Sequence, residues 1–169
     1  MSKVIIIRGP SGSGKTTIAR SIERKEDEAK YGKGHTRIMG ATYGPRVVFH
    51  EADQFFTSEF GDEYNFDPTK LSQAHRWCQL NVERTILIGC DAIVSNTSMS
   101  KWELNPYLQL AEQYGCELEV WRTPGPWDAE TLFARNIHGV PLATLEKQIS
   151  KYQPLDDEQE WSNMDIFNE

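Results

Sequence analysis

Three stretches of this sequence hold residue types that handle phosphate. In "VIIIRGPSGSGKTT", residues Gly9 to Thr16 fit the pattern G-x-x-x-x-G-K-[ST]. Gly9, Gly12 and Gly14 let the backbone curl until successive N–H groups point inward, and the helix that follows adds its positive end. Ser11, Ser13 and Thr17 fall in the same cradle. Lys15 is placed to reach the β- and γ-phosphates, and the Thr16 hydroxyl to ligate Mg²⁺. ATP with Mg²⁺ is therefore the expected ligand. In "RVVFHEAD" an acid, Asp53, follows an apolar run. A carboxylate just beyond the end of a strand in an open parallel sheet lies where ligands bind, and it can accept the proton of an attacking hydroxyl. Asp53 is the expected general base and, with Thr16, a metal-side group. Glu51, two residues earlier, is the alternative base. In "LFARNIHGVP", Arg135 at a helix end can fold over the nucleotide, neutralise the transferring phosphoryl group and exclude water.

These groups need a scaffold. Short apolar strands alternate with amphipathic helices, which predicts an α/β fold of the P-loop NTPase type: three α/β/α layers, a mainly parallel sheet and a helical lid. Val4–Ile7 reads as strand one and Thr16–Glu23 as the helix after the loop. The stretch from Lys25 to Arg46 is polar and glycine-bearing, too long for an ordinary connection. Its Lys30, Lys33, His35 and Arg37 leave a solvated loop and a substrate contact both open. RVVFH is strand two. In "FDPTKL", Asp67 caps and Pro68 takes the first position of a helix running to about Leu87, with Leu71, Ala74, Cys78, Val82 and Thr85 or Ile86 near one stripe. DAIVSN is strand three. The next helix closes at Gly115 and, because of Pro106, starts only around Asn105. CELEVWR alternates like a strand, and helices are expected from about Asp128 to Asn136 and from about Pro141 to Tyr152. The acidic remainder from residue 154 onward is expected as a flexible tail or lightly docked flap.

A chain of 169 residues with 25% charged and 38% hydrophobic residues is one domain's worth of globular protein. The net charge of -7 weakens any picture of a broad, sequence-blind DNA-coating surface. Cys78, Cys90 and Cys116 show no CxxC spacing, no signal peptide is visible and no apolar stretch approaches membrane-spanning length. Reduced thiols in the cytoplasm are the expectation. A switch GTPase would need an N-K-x-D-like guanine reader, which is absent. A mechanical ATPase would show a strand ending in Asp, whereas "AIVSN" ends in Ser95 and Asn96. A small kinase suits the pattern better.

Four blocks, GPSGSGKTT, then EADQFF with YNFDPTKLSQAHRWC, then IVSNTSMSKWELNPYLQLAEQYG, then LFARNIHGVP, occur in an order that resembles the polynucleotide-5′-hydroxyl-kinase-like P-loop kinases of bacteriophages and of eukaryotic nucleic-acid end-processing proteins. The resemblance runs from Val4 to Tyr152 and implies a kinase domain over residues 1–153, followed by the acidic tail. It implies that Asp53 is the general base, that Lys15 and Thr16 serve ATP and Mg²⁺, and that Arg135 is the lid arginine. Thr97 resembles the acceptor-side hydroxyl contact, and Val140 and Pro141 the apolar lip on which an acceptor base rests. Arg76 is the chosen acceptor-phosphate ligand, with His75 and Trp77 able to line the same cleft. The chain departs from the pattern at Gln54, where many relatives carry a second acid, and in S-N-T-S, where D-N-T-N or S-D-T-N is usual.

The function implied is transfer of the γ-phosphate of ATP to a hydroxyl of a nucleic acid, DNA foremost. The acceptor is either the 5′-hydroxyl of an end or the hydroxymethyl group of a modified pyrimidine, as in phage-encoded DNA modification. An internal base would have to leave the stack, and Phe55, Phe56 and Trp77 would suit it. A small-molecule or nucleotide-sugar kinase, and a nucleotide-binding module without transfer, are the alternatives.

Overall fold

The run KVIIIR is apolar on consecutive residues because both of its faces are covered, as in a central parallel strand. In the computed structural model, which describes residues 1–31, 47–57, 63–136 and 139–162, this run is β1 (Lys3–Arg8). Val4 and Ile6 enter one core, shared with Ala74, Cys78 and Val82 on one helix and Leu104, Tyr107 and Ala111 on another. Ile5 and Ile7 enter the opposite core, with Ile18, Ala19 and Ile22. Each such side chain, fully buried, contributes about 1.5–3 kcal/mol. Two cores on one sheet make three layers.

The elements follow as α1 (Lys15–Tyr31), β2 (Val47–His50), a short 3₁₀ turn (Ala52–Phe56), α2 (Leu71–Leu87), β3 (Asp91–Val94), α3 (Lys101–Gln113), β4 (Glu117–Arg122), α4 (Ala129–Arg135), α5 (Leu142–Ser150) and β5 (Gln159–Glu160). The sheet order is β2-β3-β1-β4-β5, and the four described strand pairings within it are parallel. The β1–β3 register places Ile5 opposite Ile93. Connections from β1 and from β3 leave in opposite directions across the sheet, so a crevice opens at their carboxyl ends.

The predicted α/β architecture is the observed one, with four local differences. The helix expected from Pro68 opens as a 3₁₀ turn over Pro68–Lys70, capped by Asp67, and becomes α-helical only at Leu71. Helix α1 runs to Tyr31 instead of ending at Glu23, because Lys, Glu and Ala dominate those turns and no glycine interrupts them before Gly32. The rest of the glycine-bearing stretch, including Lys33, His35 and Arg37, lies outside the described residues. Helix α3 starts at Lys101, ahead of the expected Asn105. Ser100 and Glu103 form a capping box there, and that cap outweighs the break expected from Pro106. The described part of the acidic segment expected as a flap, residues 154–162, is instead built in. β5 pairs with β4, and Trp161 is buried with its ring 5.1 Å from Trp121. Among the described residues, no helix is long and apolar enough to cross a membrane. The three cysteines are free thiols, Cys78 buried.

Candidate active site

The crevice at the carboxyl ends of the strands is a cleft of about 880 Å³. Its floor is the glycine loop. Gly12 and Gly14 have φ of 80° and 98°, conformations that side chains disfavour. A Cβ at Gly12 would come 2.9 Å from the Leu132 carbonyl oxygen, so glycine also lets α4 pack directly on the loop. A Cβ at Gly9 would collide with Thr123 Oγ1 and Ser13 Oγ. Gly9 N–H donates to the Thr97 carbonyl at 3.1 Å, joining the loop to the segment after β3. From α5, Gln148 reaches over the loop: its Oε1 accepts the Ser11 N–H at 3.0 Å and its Nε2 donates to Ser11 Oγ at 3.3 Å.

Asp53 sits on the turn after β2. Glu51 caps that turn and Gln54 Oε1 accepts the Glu51 N–H at 3.2 Å, so Gln54 closes a capping box. Asn96, just beyond β3, accepts the Ala52 N–H at 2.8 Å through Oδ1. Its Nδ2 donates to Tyr107 Oη at 3.2 Å and approaches Cys78 Sγ at 3.8 Å. An asparagine supplies the acceptor and both donors that this buried corner uses. Tyr64 Oη donates to Asp53 Oδ1 at 3.2 Å.

Electrostatics tie the parts together. Desolvation within the loop pushes the Lys15 ammonium down to about 8, while the Glu51 and Asp53 carboxylates pull it upward. Burial, then the Asp53 charge, raises the Glu51 carboxyl above its ordinary value. Burial, then Asp53, holds the Tyr64 phenol up at about 12, so it stays a donor. The Thr16 hydroxyl and the two carboxylates are hard oxygen donors in one cleft, the chemistry that suits Mg²⁺ completed by phosphate oxygens.

Of the residues expected at the site, Ser11, Gly12, Gly14, Lys15, Thr16, Asp53, Thr97, Arg135, Val140 and Pro141 line the cleft, as do Glu51 and His75. Gly9, buried, and Ser13, half-buried, belong to the loop without lining the cleft, and Thr17 is exposed at the start of α1. Arg76 is not brought to the cleft. Ala74, Cys78 and Val82 face the core, so Arg76, about 200° around the helix from Ala74, is exposed on the outer face. Phe55 and Trp77 pack on the core with ring centroids 6.0 Å apart, and Phe56 is buried in it. The aromatic lining comes instead from Tyr64, Phe66 and Trp102, which line the cleft while 37%, 50% and 72% exposed. Leu71, expected on the buried stripe of α2, is 39% exposed and lines the cleft as well. Trp102 follows the S-N-T-S block at a capped helix start, a signal that would have placed it at the crevice. Asn96 lies inside that block.

The family model described as AAA domain matches residues 4–155. NEDD4-binding protein 2 of Homo sapiens is 27% identical over 154 residues, covering 89% of this chain and 8% of that protein. Among solved structures, the Pnkp1/Rnl/Hen1 RNA repair complex matches with a TM-score of 0.64 at 21% identity, over 89% of this chain and 44% of the other. The Mycobacterium tuberculosis APS kinase CysC in complex with AMPPNP and APS matches with a TM-score of 0.62 at 17% identity, over 94% and 88%. The chain thus spans less than half of the first two proteins. The structural likenesses show a P-loop kinase-like fold.

Proposed function

The chain belongs to this AAA-domain family, and on that premise we propose that it is an ATP-dependent phosphotransferase whose acceptor is a hydroxyl of a nucleic acid. The observation that carries the reading is the convergence of Lys15, Thr16, Asp53 and Arg135 on one cleft, with the Asp53 charge acting on Lys15. In the proposed reaction, the acceptor oxygen attacks the γ-phosphorus while the bond to the ADP oxygen breaks, and the acceptor proton passes to the Asp53 carboxylate. Lys15 and the loop N–H groups stabilise charge on the phosphates, and Arg135, exposed at the end of α4, covers the transferring group. Thr16 and the nearby carboxylates would hold Mg²⁺, which would supply charge neutralisation on the phosphate chain.

The apolar rim supports the choice of acceptor. Flat, partly exposed side chains lining the cleft, Phe66 and Trp102, together with Val140 and Pro141 of the same lining, suit a nucleobase stacked next to the reacting hydroxyl. Lys151 at the same cleft supplies a charge for a neighbouring phosphate. With a net charge of -7, contact confined to the cleft is favoured over contact along a duplex. The likeness to a chain of an RNA repair complex supports a polynucleotide end as acceptor, ahead of a hydroxymethyl base.

The test gives the protein γ-labelled ATP with 5′-hydroxyl RNA and DNA oligonucleotides, hydroxymethyluracil DNA and free nucleosides. Label at the oligonucleotide 5′ end is the expected result. Label confined to hydroxymethyluracil DNA moves the acceptor to the base. Label only in free nucleosides rejects the nucleic-acid acceptor, and label nowhere leaves a nucleotide-binding module.

A further inference from the structure

Arg8 ends β1, immediately before the phosphate loop, and is fully buried. Its guanidinium is committed in three directions. Nε donates to the Ser98 carbonyl at 2.9 Å and Nη2 to the Met99 carbonyl at 2.8 Å. Nη1 donates to the Gln153 carbonyl at 2.9 Å and to Glu158 Oε2 at 2.8 Å. The Tyr152 ring lies 5.0 Å from its carbon. Gln153 adds two bonds of its own: its N–H donates to the Met99 carbonyl at 2.8 Å, and its Oε1 accepts the Lys101 N–H at 2.9 Å. The segment 97–100 is thus clamped between the end of β1 and the C-terminal segment. It is also the segment in which Ser98 adopts the left-handed φ of 47°, a conformation that persists only where the surroundings enforce it.

A buried ion pair stabilises little beyond an apolar pair of the same volume, because both charges leave water. What a guanidinium supplies that a lysine or a methionine cannot is a rigid fork that fixes several carbonyls at once. Here the carbonyls belong to the segment that carries Thr97, Met99 and Ser100 into the cleft. We propose that Arg8 is a positioning residue for the acceptor side of the site. Together with Glu158 and Gln153 it holds segment 97–100, and with it Thr97, at a fixed distance from the phosphate loop. The C-terminal segment is then part of the acceptor site without touching either substrate. The proposal rests on reading that side of the cleft as the acceptor side.

Two variants test it. Arg8→Lys keeps a cation beside Glu158, but one ammonium cannot span the Ser98, Met99 and Gln153 carbonyls. Glu158→Gln keeps an accepting oxygen and removes the anion. Both are read by the KM for a 5′-hydroxyl oligonucleotide, the KM for ATP, and amide hydrogen exchange at Gly9 and Gln153, whose N–H groups bond to the Thr97 and Met99 carbonyls. Arg8→Lys is expected to raise the oligonucleotide KM about tenfold while the ATP KM stays within about twofold, since a displacement near 1 Å is costly in a positioned site. Exchange at both amides should quicken, and Glu158→Gln should move each reading the same way by less. Where Arg8→Lys does not fold, Glu158→Gln carries the test alone. An oligonucleotide KM unchanged in the folded variants, or KM values for both substrates rising together, overturns the positioning role. Hydrogen exchange needs no acceptor. If the wild type phosphorylates nothing, the functional reading fails, and unchanged exchange at Gly9 and Gln153 still overturns the clamp while faster exchange supports it.

Discussion

Asn96 Oδ1 accepts the Ala52 backbone N–H at 2.8 Å, so the residue beyond β3 fixes the start of the turn that carries Asp53. The same side chain donates to Tyr107 Oη, and both residues are buried. Replacing Asn96 by Ala leaves a buried N–H without its acceptor, at a cost of about 1–3 kcal/mol. Turnover of Asn96→Ala should fall more than its folded fraction explains, with the ATP KM preserved. Urea unfolding together with steady-state kinetics checks this, and a loss in stability with turnover intact contradicts it.

Lys15 gives a pH prediction with a definite sign. Desolvation sets the free ammonium near 8, and a bound phosphate chain raises it. ATP affinity should therefore be flat below about pH 8 and weaken as pH rises above it, with net proton uptake on binding near pH 8. Titration calorimetry in two buffers of different ionisation enthalpy measures that uptake. Zero uptake, or affinity that increases above pH 8, contradicts the assignment.

His50 gives a second, unrelated to catalysis. Thr85 Oγ1 donates to the Asn81 carbonyl at 2.9 Å, so at 2.8 Å from His50 Nε2 it accepts from a neutral imidazole. Burial holds this histidine down at about 4, against 6.5 when unperturbed. In that window the unfolded chain binds the extra proton. The stability contribution is complete above pH 6.5 and is lost as pH falls towards 4, by at most about 1.4 kcal/mol per pH unit. His50→Gln should remove that share of the slope in urea unfolding between pH 7.5 and 5, and a variant with the wild-type slope contradicts it.

The C-terminal segment supplies a prediction about stability. Ending the chain after Tyr152 removes Glu158 from the buried Arg8 and removes Trp161 from its core. Leaving a buried charge without its partner costs about 3–5 kcal/mol, which lowers the melting temperature of a domain this size by roughly 6–20 °C. A truncated protein with an unchanged melting temperature contradicts the account of this segment.

The phosphate loop, Asp53 and the order of strands and helices were legible because each is written locally: a motif in eight residues, an acid at a strand end, short apolar runs for the strands and a 3.6-residue apolar period for the helices. Arg76 was misplaced although the needed signal was present. The stripe Ala74, Cys78, Val82 already turns Arg76 outward and leaves His75 beside the cleft. The clamp on Arg8 was not legible, since Glu158 is separated from it by 150 positions and an acidic stretch reads as solvated. Gln54 and Asn96 looked like lost carboxylates. The hydrogen bonds of Asn96, which accepts from Ala52 and donates to Tyr107, explain an amide there, whereas the bond Gln54 accepts from the Glu51 N–H is one a carboxylate could also make.

The central claim is that Asp53 receives the acceptor proton beside a phosphate chain held by Lys15, and Asp53→Asn tests it most directly. The substitution keeps the shape of the side chain and its oxygen towards Tyr64 while removing the base. Transfer of γ-label to a 5′-hydroxyl oligonucleotide should slow by roughly 10²-fold or more, with ATP affinity within a few-fold of wild type. Turnover equal to wild type at the same ATP affinity would contradict the claim and leave no catalytic role for this carboxylate.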